Sequence, residues 1–177
     1  GEGPFLDSSQ IEKMSVKSQG RAMAPKEVAE KISEALEITL PESEGAAQLA
    51  VLERSGREWM NKKIGDVRSR SQSWIAADVA AKSDDAKVST KTRHDAQLAR
   101  WIQTAQVVAP GARVTLQFGD RQMQGIVLSV ARTGKAKNPV ALGAWTATMA
   151  VPDSVRTLTL PFYQLFPPSQ VKGSEES

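Results

Sequence analysis

The loop from Arg132 to Lys137 carries the clearest chemistry in this sequence. It holds three cations, Arg132, Lys135 and Lys137, around Gly134 and stands between two predicted strands. Lysine and arginine side chains that face water neutralise the phosphates of a nucleic-acid backbone and release its condensed counterions. The composition of the loop therefore favours nucleic-acid contact, and the alternative is an inert turn that keeps the protein in solution.

A second group of cations lies along the longest helical pattern of the chain, which runs from about residue 42 to residue 81. Glu53, Glu58 and Asp66 stand at helical spacing from several of them, so internal ion pairs are the alternative to an exposed binding face. The pattern carries Arg54, Arg57, Lys62, Lys63, Arg68 and Arg70, and we predict Lys62, Lys63, Arg68 and Arg70 as nucleic-acid contacts.

The charges are unevenly distributed along the 177 residues. The formal net charge is +3, yet residues 1–53 carry −5, residues 54–81 carry +3, residues 82–137 carry +6 and residues 138–177 carry −1. A basic middle with acidic ends is typical of a nucleic-acid contact surface. It is equally typical of a solvated helical face that pairs with its own acidic arm.

Side chains suited to catalysis or metal binding are scarce. The chain has no cysteine and one histidine, His94, which we expect on the surface at the start of a helix. Asp84 and Asp85 are adjacent carboxylates that a solvated loop explains best. The sequence lacks a Walker phosphate loop and a nucleophile elbow. It therefore predicts a protein that is not an enzyme, with no cofactor and no metal site.

The four tryptophans, Trp59, Trp74, Trp101 and Trp145, each stand in an apolar pattern. Such side chains either stack on nucleic-acid bases or stabilise a core. Because their neighbours are apolar, we expect core positions. Trp101 shares a helical face with Leu98, which predicts its burial against the long helix or the strands.

The elements that must position these residues include a series of short strands between residues 110 and 165. Apolar and polar residues alternate there, with turn residues between the runs. The runs cover residues 113–118, 123–130, 145–151 and 156–160, with turns at 119–122 and 152–154. Such strands bury their apolar faces most easily by curling into a small barrel of the SH3 or Tudor kind. The residues predicted to lie inside are Val114, Leu116, Ile126, Leu128, Met149, Val151 and Leu158.

Helical patterns precede the strands. Apolar residues recur at three- and four-residue spacing from Pro25 onward, and an approximate seven-residue repeat follows over residues 42–81. Gly56 and Gly65 predict a break or kink in this second pattern, because each costs about 1 kcal/mol relative to Ala in a helix interior. A third helix is expected to start near Thr92, whose hydroxyl is suited to cap it.

These patterns divide the chain into four parts. We predict an irregular arm over residues 1–24, a helical region over residues 25–107, a small β-barrel over residues 108–166 and a disordered tail over residues 167–177. The fold class is therefore α+β, with a helical N-terminal part followed by a small antiparallel SH3/Tudor-like β-barrel. The chain starts with Gly rather than Met, and we expect it to be part of a longer polypeptide.

Five segments of the strand region form a recognisable pattern: Gly125–Val130, Gly134–Pro139, Ala144–Trp145, Met149–Asp153 and Arg156–Phe162. Together they resemble the small β-domain of bacterial, plasmid-borne and phage-borne strawberry notch-type helicases, which are large superfamily 2 proteins. The resemblance covers about residues 108–166. It implies an accessory domain of a nucleic-acid-processing machine. The phosphate loop and the Asp-Glu box of the helicase motor are absent from this sequence, so the resemblance implies no ATPase role.

The sequence thus predicts a non-catalytic accessory domain of a larger helicase-like protein that binds DNA or RNA without sequence preference. The alternative is a protein-interaction or assembly module that does not contact nucleic acid. No apolar run is long enough to span a bilayer, and we expect a cytoplasmic location. A continuous basic stripe that joins the loop to the helix would favour nucleic acid, whereas scattered cations paired with acids would favour the interaction module.

Overall fold

The computed structural model describes residues 22–40, 42, 45–118, 120–151, 157–165 and 171–173. The helices of this part are α1 (Pro25–Leu36), α2 (Gly45–Ala80), α3 (Asp84–Val107) and the single turn α4 (Phe162–Leu165). The strands are β1 (Arg113–Phe118), β2 (Arg121–Arg132), β3 (Trp145–Ala150), β4 (Thr157–Pro161) and β5 (Val171–Gly173). Helices followed by antiparallel strands confirm the predicted α+β class. The predicted turn at 152–154 and most of the predicted arm lie outside the described residues.

Helix α1 begins at Pro25, in the position where a missing N–H costs nothing. Its apolar stripe buries Val28, Ile32 and Leu36, as the spacing predicted. The helix ends at Leu36 because Glu37 takes a left-handed conformation with φ 56°.

Helix α2 is one continuous helix of 36 residues, and the predicted break does not occur. At Gly56 the chain that leads into β1 comes so close that a Cβ would lie 1.6 Å from the Pro110 carbonyl oxygen. The following Gly111 has φ 89°, and a Cβ there would lie 2.8 Å from the Glu53 Cα. Gly56 is therefore a point of close backbone contact. Gly65, by contrast, has no atom within 4 Å of its Cβ position.

Helix α3 begins at Asp84, eight residues before the predicted start at Thr92. Ser83 stands at the N-cap position, and the acidic side chains of Asp84 and Asp85 interact favourably with the positive end of the helix dipole. Thr92 lies inside the helix and its hydroxyl donates to the Val88 carbonyl at 2.9 Å. The two aspartates are thus helix residues, and only a short connection joins α2 to α3.

The strands form one antiparallel sheet in the order β4-β3-β2-β1-β5. The predicted hairpin of β1 and β2 is confirmed, with Phe118 opposite Arg121 and Arg113 opposite Ile126. Strand β5 lies within the tail that we predicted to be disordered, and it pairs with the edge of β1 that would otherwise present unpaired backbone groups. Among the described residues no ladder joins β4 to β5, so the sheet is open and the predicted barrel closure is not seen.

Helices cover both faces of the sheet. A closed barrel, by contrast, buries its apolar residues in a single interior. On one face, Val114, Leu116, Met149 and Leu158 belong to a cluster that includes residues of α2 and α3. On the other face, Leu128 and Ala150 pack with α1 and with Leu52 of α2. The predicted interior residues are therefore divided between two clusters, and of that set Ile126 is only half-buried.

Trp101 lies at the centre of the larger cluster and is 0 % exposed, which confirms its predicted burial. Its ring centroid lies 5.0 Å from that of Trp145 and 6.0 Å from that of Phe162. Trp145 is also buried, whereas Trp59 and Trp74 are half-buried. The aromatic contacts join α3 to β3 and α4.

We predict opposite effects for two alanine substitutions in α2. Gly56→Ala forces the helix away from Pro110 and should lower the free energy of unfolding by about 1–3 kcal/mol or more. Gly65→Ala, at an exposed position, should raise it by about 0.5–1 kcal/mol because alanine restricts the unfolded chain. Urea denaturation of both variants measures this difference. Equal effects of the same sign would contradict the close contact at Gly56.

We also predict that Trp101→Ala lowers the free energy of unfolding by about 3–5 kcal/mol, since it empties the centre of the core. Trp101→Phe is the matched control. It keeps a ring at this place and removes an indole N–H that has no hydrogen-bond partner among the described residues, so its loss should be clearly smaller. Thermal melting compares the two variants, and a Trp101→Ala protein that melts with the parent would refute the placement.

Candidate nucleic-acid interface

A basic groove lies between α2 and the end of β2. Its volume is about 160 Å³. One wall is formed by α2, and the other by the last residues of β2, the end of the following loop and the start of β3. The residues that line it are Lys63, Asp66, Val67, Arg70, Val130, Ala131, Arg132, Pro139 and Trp145.

The wall from α2 follows directly from helical periodicity. Lys63, Asp66, Val67 and Arg70 stand at spacings of three, four and seven residues, which places them on one face of a helix. Val67 is buried and anchors this face on the core. The Lys63 ammonium lies 5.2 Å from the centroid of the Trp59 ring, one turn earlier, so a cation–π contact holds it along the helix.

Sheet pairing fixes the wall that carries Arg132. Arg132 is the last residue of β2 and lies opposite Trp145 in β3. Its guanidinium reaches over the loop and donates a hydrogen bond to the Ala136 carbonyl. At the far end of the loop, the Trp145 indole N–H donates to the Pro139 carbonyl at 2.8 Å. Both ends of the basic loop are thus fastened to β3.

The seven cations predicted as contacts divide into two groups. Lys63, Arg70 and Arg132 line the groove together, although Arg132 is far from the other two in sequence. The other four are exposed and do not line it: Lys62, Arg68, Lys135 and Lys137. On α2, Lys62 lies about 100° around the helix from Lys63, and Arg68 about 140°. The structure therefore joins the loop to the helix at three of the seven residues.

The groove carries uncompensated positive charge. Its lining has three cations and one carboxylate, Asp66, which gives a formal charge of +2. Within the described part of the chain, none of these cations forms an ion pair with a carboxylate. Of the pairs expected on α2, Arg57 with Glu53 occurs at 4.0 Å. The other two expected acids, Glu58 and Asp66, form no pair with another described residue.

A series of hydrogen bonds links the helical hairpin, which is formed by α2 and α3, to the end of the basic loop. His94 takes part in this series. We expected His94 on the surface, but it is only 6 % exposed, because the α2–α3 interface covers it. Its Nε2 lies 2.7 Å from Oδ2 of Asp78 on α2, and its Nδ1 lies 3.2 Å from Oε1 of Gln97. The same Gln97 oxygen accepts a hydrogen bond from the Asn138 side-chain amide at 3.0 Å. The edge of the Trp74 ring packs on the imidazole, with centroids 4.7 Å apart.

The hydrogen bond from His94 lowers the pKa of the Asp78 carboxyl below its ordinary value. The positive charges of Lys82 and Arg93 act in the same direction, and burial acts against them. Asp78 is therefore a carboxylate at neutral pH and accepts the hydrogen bond from His94 Nε2.

Asp66, His94 and Asn138 are among the residues of this region that were not predicted as site residues. Asp66 had been assigned only as a possible pairing partner of the cations. For Asn138, the sequence Asn-Pro is a turn signal that would have indicated a fixed loop end. For His94, nothing in the local pattern indicates burial, because its partner Asp78 belongs to another helix.

Comparison of the chain with known protein families, with curated proteins and with solved structures finds no match. In the described part of the chain, no group of three or more His, Cys, Asp or Glu residues is arranged to hold a metal ion. No helix of that part is long and apolar enough to cross a membrane. Function must therefore be inferred from the groove and its charges.

We predict that the Asp78 carboxylate stabilises the fold at neutral pH and loses this effect in acid. Because folding lowers the pKa of Asp78, the unfolded chain binds the proton more tightly, and the contribution is lost as the pH falls from the ordinary value of 3.8 through the lowered one. Asp78→Asn should therefore be less stable than the parent near neutral pH, and the difference should shrink on acidification. Urea denaturation over a pH series tests this, and a constant difference would contradict it.

Proposed function

We propose that this chain is a non-catalytic domain that binds the sugar-phosphate backbone of nucleic acid without sequence preference. In this proposal it is an accessory part of a larger helicase-like protein. Lys63, Arg70 and Arg132 hold phosphate in the groove. The exposed cations Lys135 and Lys137 on the loop, and Lys62 and Arg68 on α2, attract neighbouring phosphates.

The observation that carries this proposal is the meeting of the basic loop and the basic helix in one groove. Residues 63 and 132 are distant in sequence, and an inert surface gives no reason for their cations to line the same depression without a carboxylate partner for each. Such cations repel one another, and a phosphate between them removes the repulsion. Displacement of condensed counterions from the nucleic acid adds to the affinity.

The size and lining of the groove favour phosphate over a base. Small-molecule sites commonly enclose about 300–1,000 Å³, and this groove of about 160 Å³ is smaller. The side chains that reach it offer positive charge but no Asn or Gln pair suited to reading a base edge. Affinity without sequence preference is the expected result, because phosphate contacts carry no sequence information directly.

The wider role in a helicase-like protein is supported by the resemblance of residues 108–166 to the strawberry notch-type β-domain. The residues of that resemblance include Gly134–Pro139, which form the basic loop and its fixed end. In this proposal the motor that hydrolyses ATP lies elsewhere in the parent protein, and this domain retains the nucleic acid. An SH3- or Tudor-like curvature of the sheet, which the pattern of short strands predicts, remains a prediction.

A protein-interaction module remains the second candidate, and one observation favours it. A mainly apolar depression of about 290 Å³ lies where the start of α1 meets the sheet. Met23, Val28, Ile126 and Val151 contribute its apolar surface, and Arg113 lies at its side. A partner with an apolar side chain could use this depression, and the basic groove would then serve only solubility.

We predict that the chain binds short oligonucleotides weakly and with strong salt dependence. Replacing Lys63, Arg70 and Arg132 together by Ala should flatten the slope of log affinity against log salt by about 2–3 for duplex DNA, since each lost phosphate contact removes about 0.9. Replacing Lys135 and Lys137 should flatten it by up to about 2. Asp66→Asn removes the one carboxylate that lines the groove among the described residues and should strengthen binding. Fluorescence anisotropy across a salt series, with single-stranded and duplex DNA and RNA, measures each effect.

The matched control for the groove variant is a triple Ala variant at Lys26, Lys31 and Lys91. These lysines are exposed and lie on α1 and α3. Their replacement removes the same charge as the groove variant, and they do not line the groove. A groove variant that weakens binding no more than this control would show that the groove has no special role. If the parent chain binds no oligonucleotide at low salt, the nucleic-acid proposal is wrong and the protein-interaction module is favoured.

A further inference from the structure

The hydrogen bonds that fasten the basic loop to the helical hairpin have a determined direction. The Asn138 side-chain oxygen accepts the backbone N–H of Val140 at 3.1 Å, so its amide nitrogen must point the other way. That nitrogen donates to Gln97 Oε1 at 3.0 Å. A flipped Asn138 would place its NH₂ against the N–H of Val140, with two donors face to face. The backbone therefore fixes the orientation of both amide groups.

This orientation of the Asn138 and Gln97 amides requires a proton on each ring nitrogen of His94. Gln97 presents the same oxygen to His94 Nδ1, at 3.2 Å, so Nδ1 must donate. Asp78 presents a carboxylate oxygen to Nε2, at 2.7 Å, so a proton must also lie there. An oxygen with two lone pairs accepts from both Asn138 and His94 without conflict. All of these hydrogen bonds can form at once only when His94 and Asp78 together carry one proton more than a neutral imidazole and a carboxylate would carry.

Loss of that proton breaks one particular hydrogen bond, the one between His94 and Gln97. The short contact with the Asp78 carboxylate retains the proton on Nε2, because a bond to a charged acceptor is the stronger one. The Nδ1 lone pair then faces the Gln97 oxygen, and two acceptors repel. Gln97 cannot flip to donate without turning its NH₂ toward the Asn138 NH₂. The bonds around Gln97 therefore weaken, and with them the anchor of Asn138.

We propose that His94, Gln97 and Asn138 are positioning residues: they hold the end of the basic loop against α3 when His94 is protonated, and this side-chain anchor is lost when His94 is neutral. Asn138 directly precedes Pro139, which lines the groove, and directly follows Lys137. The effect of this anchor on nucleic-acid binding rests on the proposed function, whereas the anchor itself does not.

The charged groups around His94 set the direction of this response. From α2, Asp78 meets the imidazole directly, and Lys82 acts on Asp78. From α3 itself, Arg93 acts on Asp78. Gln97 and Trp74, which contact the ring, do not titrate, and neither does Asn138. The closest charge is thus the Asp78 carboxylate, whose Oδ2 lies 2.7 Å from the imidazole Nε2.

Nuclear magnetic resonance of the 177-residue chain tests the anchor without any ligand. His94 is the only histidine, so its ring nitrogen signals are identified without ambiguity. We expect both nitrogens to be protonated at the acidic end of the titration, and the side-chain amide signals of Asn138 to shift with the same midpoint as the His94 ring. In Gln97→Ala the Asn138 signals should no longer follow His94. In Gln97→Glu, which keeps an accepting oxygen, they should follow it again. Asn138 signals that stay constant while His94 titrates in the parent would overturn the proposal.

Anisotropy with a short duplex at constant salt then tests the consequence for binding. The parent should bind roughly two- to tenfold more tightly at acidic than at alkaline pH, the range expected for one net hydrogen bond. Gln97→Ala should lose most of this difference. The Gln97→Ala variant retains His94 and its charge. It therefore distinguishes an effect of the anchor from direct electrostatic attraction between His94 and the nucleic acid. Coupled signals without nucleic-acid binding at any pH would support the anchor and overturn the proposed function. Binding that varies equally with pH in parent and Gln97→Ala would overturn the link between anchor and binding.

Discussion

The contact between the backbone of α2 at Gly56 and the chain at Pro110 is the constraint on which the rest of the structure depends. It brings a 36-residue helix so close to the chain before β1 that there is no room for a Cβ at position 56. The helix can then pack on both clusters of the sheet, with Leu52 in one and Met60 in the other. Two turns after Gly56, Lys63 lines the groove.

The groove follows from this placement. Helix α2 provides cations at helical spacing, and β2 delivers Arg132 at the point where the strand ends and the basic loop begins. Like charges gathered on two rigid elements repel one another, which lowers the stability of the fold slightly. Among the described residues, Asp66 is the only acid that lines the groove, which leaves the lining with a formal charge of +2.

The helical hairpin changes character along its length. Near the sheet its interface is apolar, with Ile64 and Val67 of α2 in the same cluster as Leu98 and Trp101 of α3. Farther out, the buried His94 and its partner Asp78 replace these apolar contacts. A polar interface in this place allows a hydrogen-bonded connection to the loop at Asn138, which an apolar one could not provide.

The sequence by itself determined the elements whose cause is local. The apolar stripe of α1, the hairpin of β1 and β2 and the burial of Trp101 all follow from spacing along the chain, and each was predicted. The predicted start of α3 was wrong because the Thr92 hydroxyl looks suited to cap a helix, whereas the helix begins earlier, with Ser83 at the N-cap position and Asp84 in its first turn. Only the tertiary structure decided the role of Gly56, the burial of His94 and the meeting of Arg132 with Lys63. Each of these depends on a partner distant in sequence, and local periodicity carries no information about which distant residue a side chain will face.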